Sequence, residues 1–392
     1  MFDRIAAPPA DPVFEAMARY NTDRRPERMD LGIGVFHDEH GESPVLAAVA
    51  EAEEELARAR QSKAYLPLAG DPRFLEAFAS LVFPNEKARA ALIQSTGGTG
   101  AVRLALELVK LANPFARVHL GLPSWPNHAS IADAVGLELR SYRYAGRNSS
   151  VVDFEAAQAS ARSCATGDVF ILHGPGHNPT GLDLTRAQRD QVLRILAERG
   201  AVPIIDVAYW GLCDGLEADL DNLREDVSLI GEILVAVTCS KAFGLYRERI
   251  GALFALTQAR AARSAIEANL ERISRVLVST APAHGAAVIA RILADQRLRM
   301  LWATELSRMR ERIIAMRASL GELSSQAPQL AHIPEGRGLF SLLPISPEDI
   351  AYLSSEHAIH MPASGRINIT GLKTGDPERL ARALQELRHP RT

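Results

Sequence analysis

Residues 233–251 read ILVAVTCSKAFGLYRERIG, and the succession of a buried strand, a lysine and a second strand is the strongest indication of the fold. The first six residues are apolar or β-branched with no polar alternation, which predicts a strand covered on both faces. Lys241 follows almost at once, and the apolar strand IGALFAL begins at residue 250. Burying an ammonium group is costly. Lys241 is therefore either a Schiff-base lysine with a lowered pKa or a strand-end lysine that reaches solvent.

Similar apolar runs alternate with amphipathic helical segments from about Val45 to Thr257. A helix is predicted over residues 185–199, with Thr185 and Gln188 in capping-box register at its start. The other predicted strands lie at residues 118–122, 137–142, 169–174 and 202–209. This alternation indicates an α/β fold whose sheet has helices on both sides.

The sequence changes character near residue 305. A long polar helix, short strands around GLFSLL and GRINIT, and a final helix predict a smaller α+β domain over residues 305–392. Residues 46–304 are predicted to form the large domain. Residues 1–45 lack a core of their own, so we expect an arm that completes the small domain.

Composition excludes several classes of protein. The hydrophobic fraction is 47%, the charged fraction 23% and the net charge −3, which gives no bulk attraction to nucleic acid or anionic membranes. Cys164, Cys213 and Cys239 form no CxxC pair, so neither disulfides nor a zinc site is expected. The segment MFDRIAAPPADP does not resemble a signal peptide, and no apolar run approaches the roughly 20 residues of a membrane span. We expect a soluble cytoplasmic protein without a metal.

Asp206 lies at the end of the apolar segment VPIIDVAYW, where a carboxylate is unusual unless it is paired. It could hold a protonated pyridinium nitrogen and so make the ring an electron sink, or it could cap the loop after its strand. Tyr209 follows closely enough to face the same pocket.

Two further segments could bind a ligand. In QSTGGTGAVRLAL, Gly98 and Thr99 precede a predicted helix whose free N–H groups would suit a phosphate, although such a turn is often only structural. The segment lacks both the Walker A lysine and the third glycine of a dinucleotide site. In HGPGHNPTG, the glycines and prolines exclude a zinc-binding helix face, and Asn178 either projects from a rigid turn or is merely part of it.

Three arginines are candidate anion ligands. Arg366 lies in a predicted strand of the small domain, Arg275 precedes a proline-containing loop, and Arg249 follows Lys241. Arginine binds carboxylates in a bidentate manner, so Arg366 and Arg275 could hold a dicarboxylate by its two ends. Surface ion pairs are the alternative for each residue alone.

The order of these motifs resembles one family. The chain is similar, over nearly its whole length, to the aspartate/aromatic aminotransferases of pyridoxal-phosphate fold type I, from ADPVFEAMARYNTDRRPERMDLGIGVF through KAYLPLAGDPRF, STGGTGAVR, PSWPNH, HNPTGLDLT, DVAYWGL, SKAFGLYRERIG and STAPAHGAA to GRINITGL. The resemblance implies a mixed, mostly parallel sheet, pyridoxal 5'-phosphate as cofactor and a homodimer with shared active sites.

The resemblance also implies roles for single residues. Lys241 would form the Schiff base and later move the substrate's proton, and Asp206, with His128 behind it, would pair with the pyridine nitrogen. The other cofactor contacts would be Trp125 on the ring, Asn178 and Tyr209 at its phenolic oxygen, and Gly98, Thr99, Thr238 and Arg249 at the phosphate.

Substrate contacts are implied in the same way. Arg366 would bind the α-carboxylate, and Gly34, Trp125 and Asn178 would line the substrate. Tyr65 and Arg275 would reach into the neighbouring subunit's site, at the phosphate and the distal carboxylate respectively.

Some positions depart from the family pattern. Ala242 and Thr280 stand where the family usually has Asn, and Phe36, His37 and Ala64 differ from the usual aspartate-specific residues at the pocket edge. SKAFGLYRERIG is closer to the broad aromatic branch. We therefore expect a ping-pong transaminase for aspartate, aromatic amino acids or both, with 2-oxoglutarate as acceptor.

Two alternatives share the cofactor. One is a β-lyase, β-decarboxylase or specialised biosynthetic aminotransferase. The other is a non-catalytic regulator, which would need a DNA-binding region that the sequence before residue 45 does not suggest. A hydrolase is disfavoured because no GxSxG motif is present.

Overall fold

A seven-stranded sheet forms the centre of the larger part of the chain in the computed structural model, which describes residues 1–7, 10–146 and 149–387. After the short β1 (Met29–Asp30), its strands are β2 (Ala90–Thr96), β3 (Arg117–Leu122), β4 (Glu138–Arg143), β5 (Val169–His173), β6 (Val202–Val207), β7 (Ile233–Thr238) and β8 (Ile250–Leu256). Their order is β2-β8-β7-β6-β5-β3-β4, and among these described strands β8 alone runs in the direction opposite to the others. The α/β fold and the mostly parallel sheet are thus confirmed.

All six strands predicted in this region are present, but β2 was not predicted. Its second half, Gln94–Thr96, is polar and runs directly into the glycines, so its sequence does not look like a strand. It is a strand because it pairs along its whole length with β8, whose partner residues are about 160 positions away.

Helix α1 (Pro12–Thr22) packs against β1 and not on this sheet. The other helices before β7 lie on the sheet or on the helices that cover it: α2 (Ala47–Ala59), α3 (Pro72–Val82), α4 (Gly97–Ala112), α5 (Asn127–Val135), α6 (Phe154–Ser163), α7 (Arg186–Arg199) and α8 (Leu216–Ser228). The capping box of Thr185 and Gln188 is confirmed at the start of α7. In contrast to the prediction, the glycines do not precede α4 but form its first turn, which begins at Gly97.

Alternate residues of the central strands pack into two different cores. Ile204 of β6 and Leu234 of β7 lie in the core on one face of the sheet, whereas Ile205 and Val235 lie in the core on the other. A strand residue and its neighbour point to opposite faces, so both faces of the sheet are covered. The apolar runs in the sequence follow from this arrangement.

Helices α9 (Arg260–Val278) and α10 (His284–Ala294) follow β8 and still pack on the large sheet, because Leu270 of α9 and Ile289 of α10 lie in its two cores. The elements after them build a smaller α+β region: α11 (Gln296–Glu322), β9 (Phe340–Leu342), α12 (Pro347–His357), β10 (Ile359–His360), β11 (Arg366–Asn368) and α13 (Asp376–Glu386). Strand β11 pairs antiparallel with β9, and β1 pairs parallel with β10. Met29 and Leu31 therefore share a third core with residues of α11, α12 and α13.

The proposed domain limits remain a prediction. The limit between residues 304 and 305 falls inside α11, which is continuous from Gln296 to Glu322. Phe36, which belongs to the predicted arm, and Leu46, which directly follows it, pack into the core of the large sheet. Residues 388–392, assigned to the small domain from sequence, lie outside the described residues, as do residues 8–9 of the arm and 147–148 of the large domain.

Candidate active site

Several polar groups meet at the carboxyl ends of β5, β6 and β7. A cavity of about 130 Å³ opens there. Parallel strands end at the same edge of a sheet, which is where ligands bind in such folds. The cavity is lined by Gly98, Thr99, Trp125, His173, Asn178, Asp206, Ala208, Tyr209, Thr238, Ser240, Lys241 and Arg249. Nine of these residues were predicted from sequence as site residues, and the structure brings them together.

Lys241 faces this cavity from the turn after β7, with its Nζ 5.3 Å from the ring centroid of Tyr209. Burial lowers the pKa of Lys241 to about 8, and the nearby charges of Arg249 and Arg366 act in the same direction, while Asp206 opposes them. The amine is thus much more easily deprotonated than that of a surface lysine. The side chain of Lys241 is half-buried and faces the cavity, and its role as a Schiff-base lysine stays a prediction.

Asp206 is buried and held from behind by His128, whose Nε2 lies 2.8 Å from Asp206 Oδ2. Burial alone would raise the pKa of this carboxyl, but the hydrogen bond from His128 and the charge of Lys241 outweigh it, and the pKa is lowered. His128 Nδ1 in turn shares a hydrogen bond of 3.0 Å with Ser124 Oγ. The site therefore presents an ionised carboxylate to the cavity.

The first turn of α4 forms an anion cradle together with Arg249. The N–H groups that begin a helix have no partner within it and carry the positive end of its dipole. A Cβ at Gly97, whose φ is +68°, would lie 2.8 Å from Arg249 Nη2, and one at Gly98 would lie 3.3 Å from Thr238 Cβ. Glycine is needed here because a side chain would fill the space between the helix start and the guanidinium.

Arg366 lies beside the cavity. Its Nη2 donates to the carbonyl of Gly32 at 2.6 Å, its Nη1 approaches Asn178 Oδ1 at 3.5 Å, and its guanidinium carbon is 4.3 Å from the ring centroid of Phe340. Its Nε is buried without a hydrogen-bond partner in the described structure. Burial lowers the pKa of Arg366. A guanidinium with unused donors in a buried position is suited to binding a carboxylate. A Cβ on Gly34 would come within 3.2 Å of Phe340 Cζ.

Four predicted site residues do not line this cavity: Arg366 and Gly34 belong to the region beside it, whereas Tyr65 and Arg275 lie away from it. Tyr65 is 91% exposed, and Arg275 is exposed in the last turn of α9. Within the described part of one chain, neither lines the cavity around Lys241.

The positions that depart from the family pattern also lie elsewhere. The side chain of Phe36 is buried in the large core, and Ala242 is buried with its carbonyl accepting a hydrogen bond from Trp302 Nε1. Ala64 is exposed, Thr280 is half-buried, and the backbone carbonyl of His37 accepts from Arg312. None of the five lines the cavity as described in one chain. The expected position of Phe36, His37 and Ala64 at the pocket edge stays a prediction.

Sequence reasoning missed His173, Ser240 and Phe340. His173 ends β5 and shares a hydrogen bond of 3.0 Å with Ser124 Oγ. Its place at the carboxyl end of a predicted strand was a usable signal, as was the position of Ser240 directly before Lys241. Phe340 had no such signal, because only its packing against Arg366 marks it.

Within the described residues, no group of three or more His, Cys, Asp or Glu side chains is arranged to hold a metal ion. Over the same residues, no helix combines the length and the apolar character needed to cross a bilayer.

A lysine of low pKa, an ionised buried carboxylate and an anion cradle at the carboxyl edge of this sheet define an enzyme of the pyridoxal-phosphate fold type I class. The model of the family "Aminotransferase class I and II" matches residues 26–384. The chain therefore belongs to this aminotransferase family, and its cofactor is pyridoxal 5'-phosphate.

Individual relatives agree with this assignment. The chain is 42% identical to a tyrosine aminotransferase of Rhizobium meliloti (strain 1021), over 97% of this chain and 98% of the relative. It is 37% identical to an aspartate aminotransferase of Salmonella typhi, over 98% and 99%. The structure of an aromatic-amino-acid aminotransferase from Burkholderia pseudomallei, covalently bound to pyridoxal phosphate, superposes with a TM-score of 0.95 at 32% identity, covering 99% of each chain.

The lowered pKa of Lys241 predicts how cofactor attachment depends on pH. Only the neutral amine attacks a carbonyl, and at a pKa of about 8 its fraction rises up to that pH and then levels off. We expect the rate of covalent cofactor incorporation into cofactor-free protein to rise about tenfold per pH unit below about pH 8 and to be flat above it. Stopped-flow absorbance measures this rate. A rate that keeps rising to about pH 10, as for an ordinary lysine, would contradict the lowered pKa.

Proposed function

We propose that this aminotransferase moves the amino group of an aromatic or acidic L-amino acid to 2-oxoglutarate by a ping-pong mechanism. The observation that carries the proposal is that Lys241, Asp206 and Arg249 meet in one cavity, with Arg366 at its side. When bound, the cofactor supplies a carbonyl that takes up the amino group and a ring that accepts electrons.

The protein groups around the cavity would hold and polarise the cofactor. Asp206, kept ionised by His128, would hold a proton at the pyridine nitrogen. Burial raises the pKa of Tyr209, which stays protonated and can donate to the ring's phenolic oxygen together with the amide of Asn178.

The remaining cofactor contacts follow from position. Trp125 would lie against the ring and exclude water from it. The phosphate would be bound by the first turn of α4 and the groups around it, namely Gly98, Thr99, Thr238 and Arg249.

Lys241 would both hold the cofactor and move the proton of the reaction. Its Nζ has a pKa of about 8, so a substantial fraction of the free amine is neutral near neutral pH and can take the proton from the substrate's α-carbon. The α-carboxylate of the substrate would bind to the unused donors of Arg366, beside Gly34, Asn178 and Trp125.

We further propose a two-fold homodimer with composite sites. Tyr65 and Arg275 are exposed and do not reach the cavity of their own chain, so a second copy of this chain would have to receive them. Tyr65 would then contact the cofactor phosphate, and Arg275 the distal carboxylate of a dicarboxylic substrate. Such exchange fits a closed symmetric dimer, in which each protomer contributes the same surface.

We propose a cytoplasmic location because the cysteines form no disulfide bond. Cys164, Cys213 and Cys239 are all free and buried. Unpaired thiols suit a reducing compartment.

Product analysis tests the proposed reaction. The cofactor-loaded enzyme is incubated with tyrosine, phenylalanine or aspartate and 2-oxoglutarate, and glutamate is quantified. Stoichiometric glutamate and the matching 2-oxo acid are expected. Ammonia or carbon dioxide in place of glutamate would point to a lyase or decarboxylase and overturn the proposal.

Arg275→Ala is expected to lower kcat/KM at least about tenfold for aspartate and 2-oxoglutarate, because a charged hydrogen-bonded pair with the distal carboxylate is lost. Phenylalanine has no such carboxylate, so its half-reaction should change little. Single-turnover kinetics with each substrate measures the two half-reactions separately. Arg272→Ala, an exposed arginine one turn earlier on α9, is the matched control. Equal losses for both substrate classes would refute the role of Arg275.

A further inference from the structure

The backbone of residues 31–37, here called segment 31–37, passes beside Arg366 with no regular secondary structure. Its polar groups are bound by the strand β11 and the residues just after it, and also by Asp30, Tyr246 and Arg312. Leu31 O accepts from the backbone N–H of Asn368 at 2.8 Å, Gly32 O accepts from Arg366, and the N–H of His37 donates to Thr370 Oγ1 at 3.2 Å. Strand β11 is therefore one of the elements that fix the position of this segment.

The side chain of Asn368 makes the central contacts and is fully buried. Its Nδ2 donates to the carbonyls of Ile33 at 2.8 Å and Val35 at 2.6 Å. Its Oδ1 accepts from both the N–H and the hydroxyl of Thr370, each at 3.0 Å. This set of hydrogen bonds needs two donated protons and an acceptor on one short side chain, which only an amide provides.

The Arg366 guanidinium has few protein anchors of its own. The carbonyl of Gly32 is its shortest contact, its face lies over Phe340, and its Nε has no partner in the described structure. Asn368 binds the carbonyls of Ile33 and Val35, just after Gly32, and so restrains the backbone that carries the Gly32 carbonyl. That carbonyl in turn orients the unused donors of Arg366.

We propose that Asn368 is a positioning residue for the carboxylate site: it locks segment 31–37 so that Gly32 orients Arg366 toward the substrate's α-carboxylate. The inference rests on the proposed role of Arg366. Asn368 itself touches no substrate. Every amino acid and 2-oxo acid substrate carries the α-carboxylate, so the loss of Asn368 should weaken the binding of all these substrates to a similar extent.

Asn368→Asp is the main test because it keeps the shape and replaces the donating NH₂ by an oxygen. KM for both the amino donor and the 2-oxo acid is expected to rise about tenfold or more, with kcat changed less than about threefold. A protonated aspartate regains one donor. The KM ratio of variant to unmodified enzyme should therefore shrink as the pH falls from about 9 to about 6, since burial raises the pKa of the new carboxyl.

Binding without turnover gives an independent readout. Calorimetric affinity of the cofactor-loaded enzyme for 3-phenylpropionate, which has a carboxylate and no amino group, should fall by the same factor as KM rises. Thr370→Val is a milder variant for the case that Asn368→Asp does not fold. It removes the hydroxyl that donates to Asn368 and accepts from His37, and it is expected to raise KM about threefold.

Asn113→Asp is the matched control, because its Nδ2 donates to Gly167 O at 3.4 Å and its Oδ1 accepts from the N–H of Phe115 at 3.1 Å, at the end of the sheet away from the cavity. Its KM values should equal those of the unmodified enzyme. A folded Asn368→Asp with unchanged KM, or with lowered kcat alone, overturns the inference, as does an unchanged KM in Thr370→Val. If the unmodified enzyme itself forms no glutamate, the proposed function has failed instead.

Discussion

Lys241→Ala is expected to lower the turnover number at least about 10,000-fold, because one residue supplies both the covalent attachment and the proton transfer. Its pKa of about 8 and its position beside Asp206 and Tyr209 suit both tasks, and no other lysine lines the cavity in the described structure. The variant should still bind pyridoxal phosphate through the anion cradle. Its absorbance should be that of the free aldehyde, with no band of a lysine adduct.

The matched control for this variant is Lys87→Ala. Lys87 is exposed and pairs with Glu76 at 2.5 Å on the surface, where such pairs contribute about 0–1 kcal/mol to stability. Turnover and absorbance should match those of the unmodified enzyme. A fully active Lys241→Ala protein that keeps the lysine-adduct band would show that another amine holds the cofactor.

Asp206→Asn is expected to lower kcat by about 100-fold or more, the size of effect seen when one group that stabilises charge in a transition state is removed. The amide cannot hold a proton at the pyridine nitrogen, and it leaves His128 without its ionised partner. Single-turnover rates with an amino donor, together with cofactor affinity, measure the change. We expect the single-turnover rate to fall by a larger factor than the cofactor affinity, because the carboxylate matters most when the ring accepts electrons.

Asp168→Asn serves as the control for removing a buried, ion-paired aspartate. Asp168 pairs with Arg117 at 2.6 Å just before β5, at the end of the sheet away from the cavity. Its loss should lower the free energy of unfolding and leave kcat nearly unchanged. If both variants lose the same fraction of activity, the effect of Asp206→Asn is one of stability and not of chemistry.

Local patterns in the sequence were sufficient for most of the fold. The uninterrupted apolar residues of β6 and β7 predicted buried strands, and Thr185 with Gln188 predicted the start of α7, since such signals act over a few residues. The start of α4 and the strand β2 were not foreseen. Their glycines and polar residues have no strong local preference, and pairing with β8 decides the structure of β2.

What the sequence by itself determined is the kind of chemistry: a lysine after a buried strand, a carboxylate at the end of another, and a family whose motifs occur in the same order. Only the tertiary structure decided the geometry that this chemistry needs. Arg366 meets Asn178 across 188 positions of sequence, and Asn368 binds Ile33 across 335. Such pairs depend on strand order and on how the two ends of the chain pack together, and no local pattern encodes either. For the same reason the sequence pointed to Lys241, whereas Asn368 became visible only through its contacts.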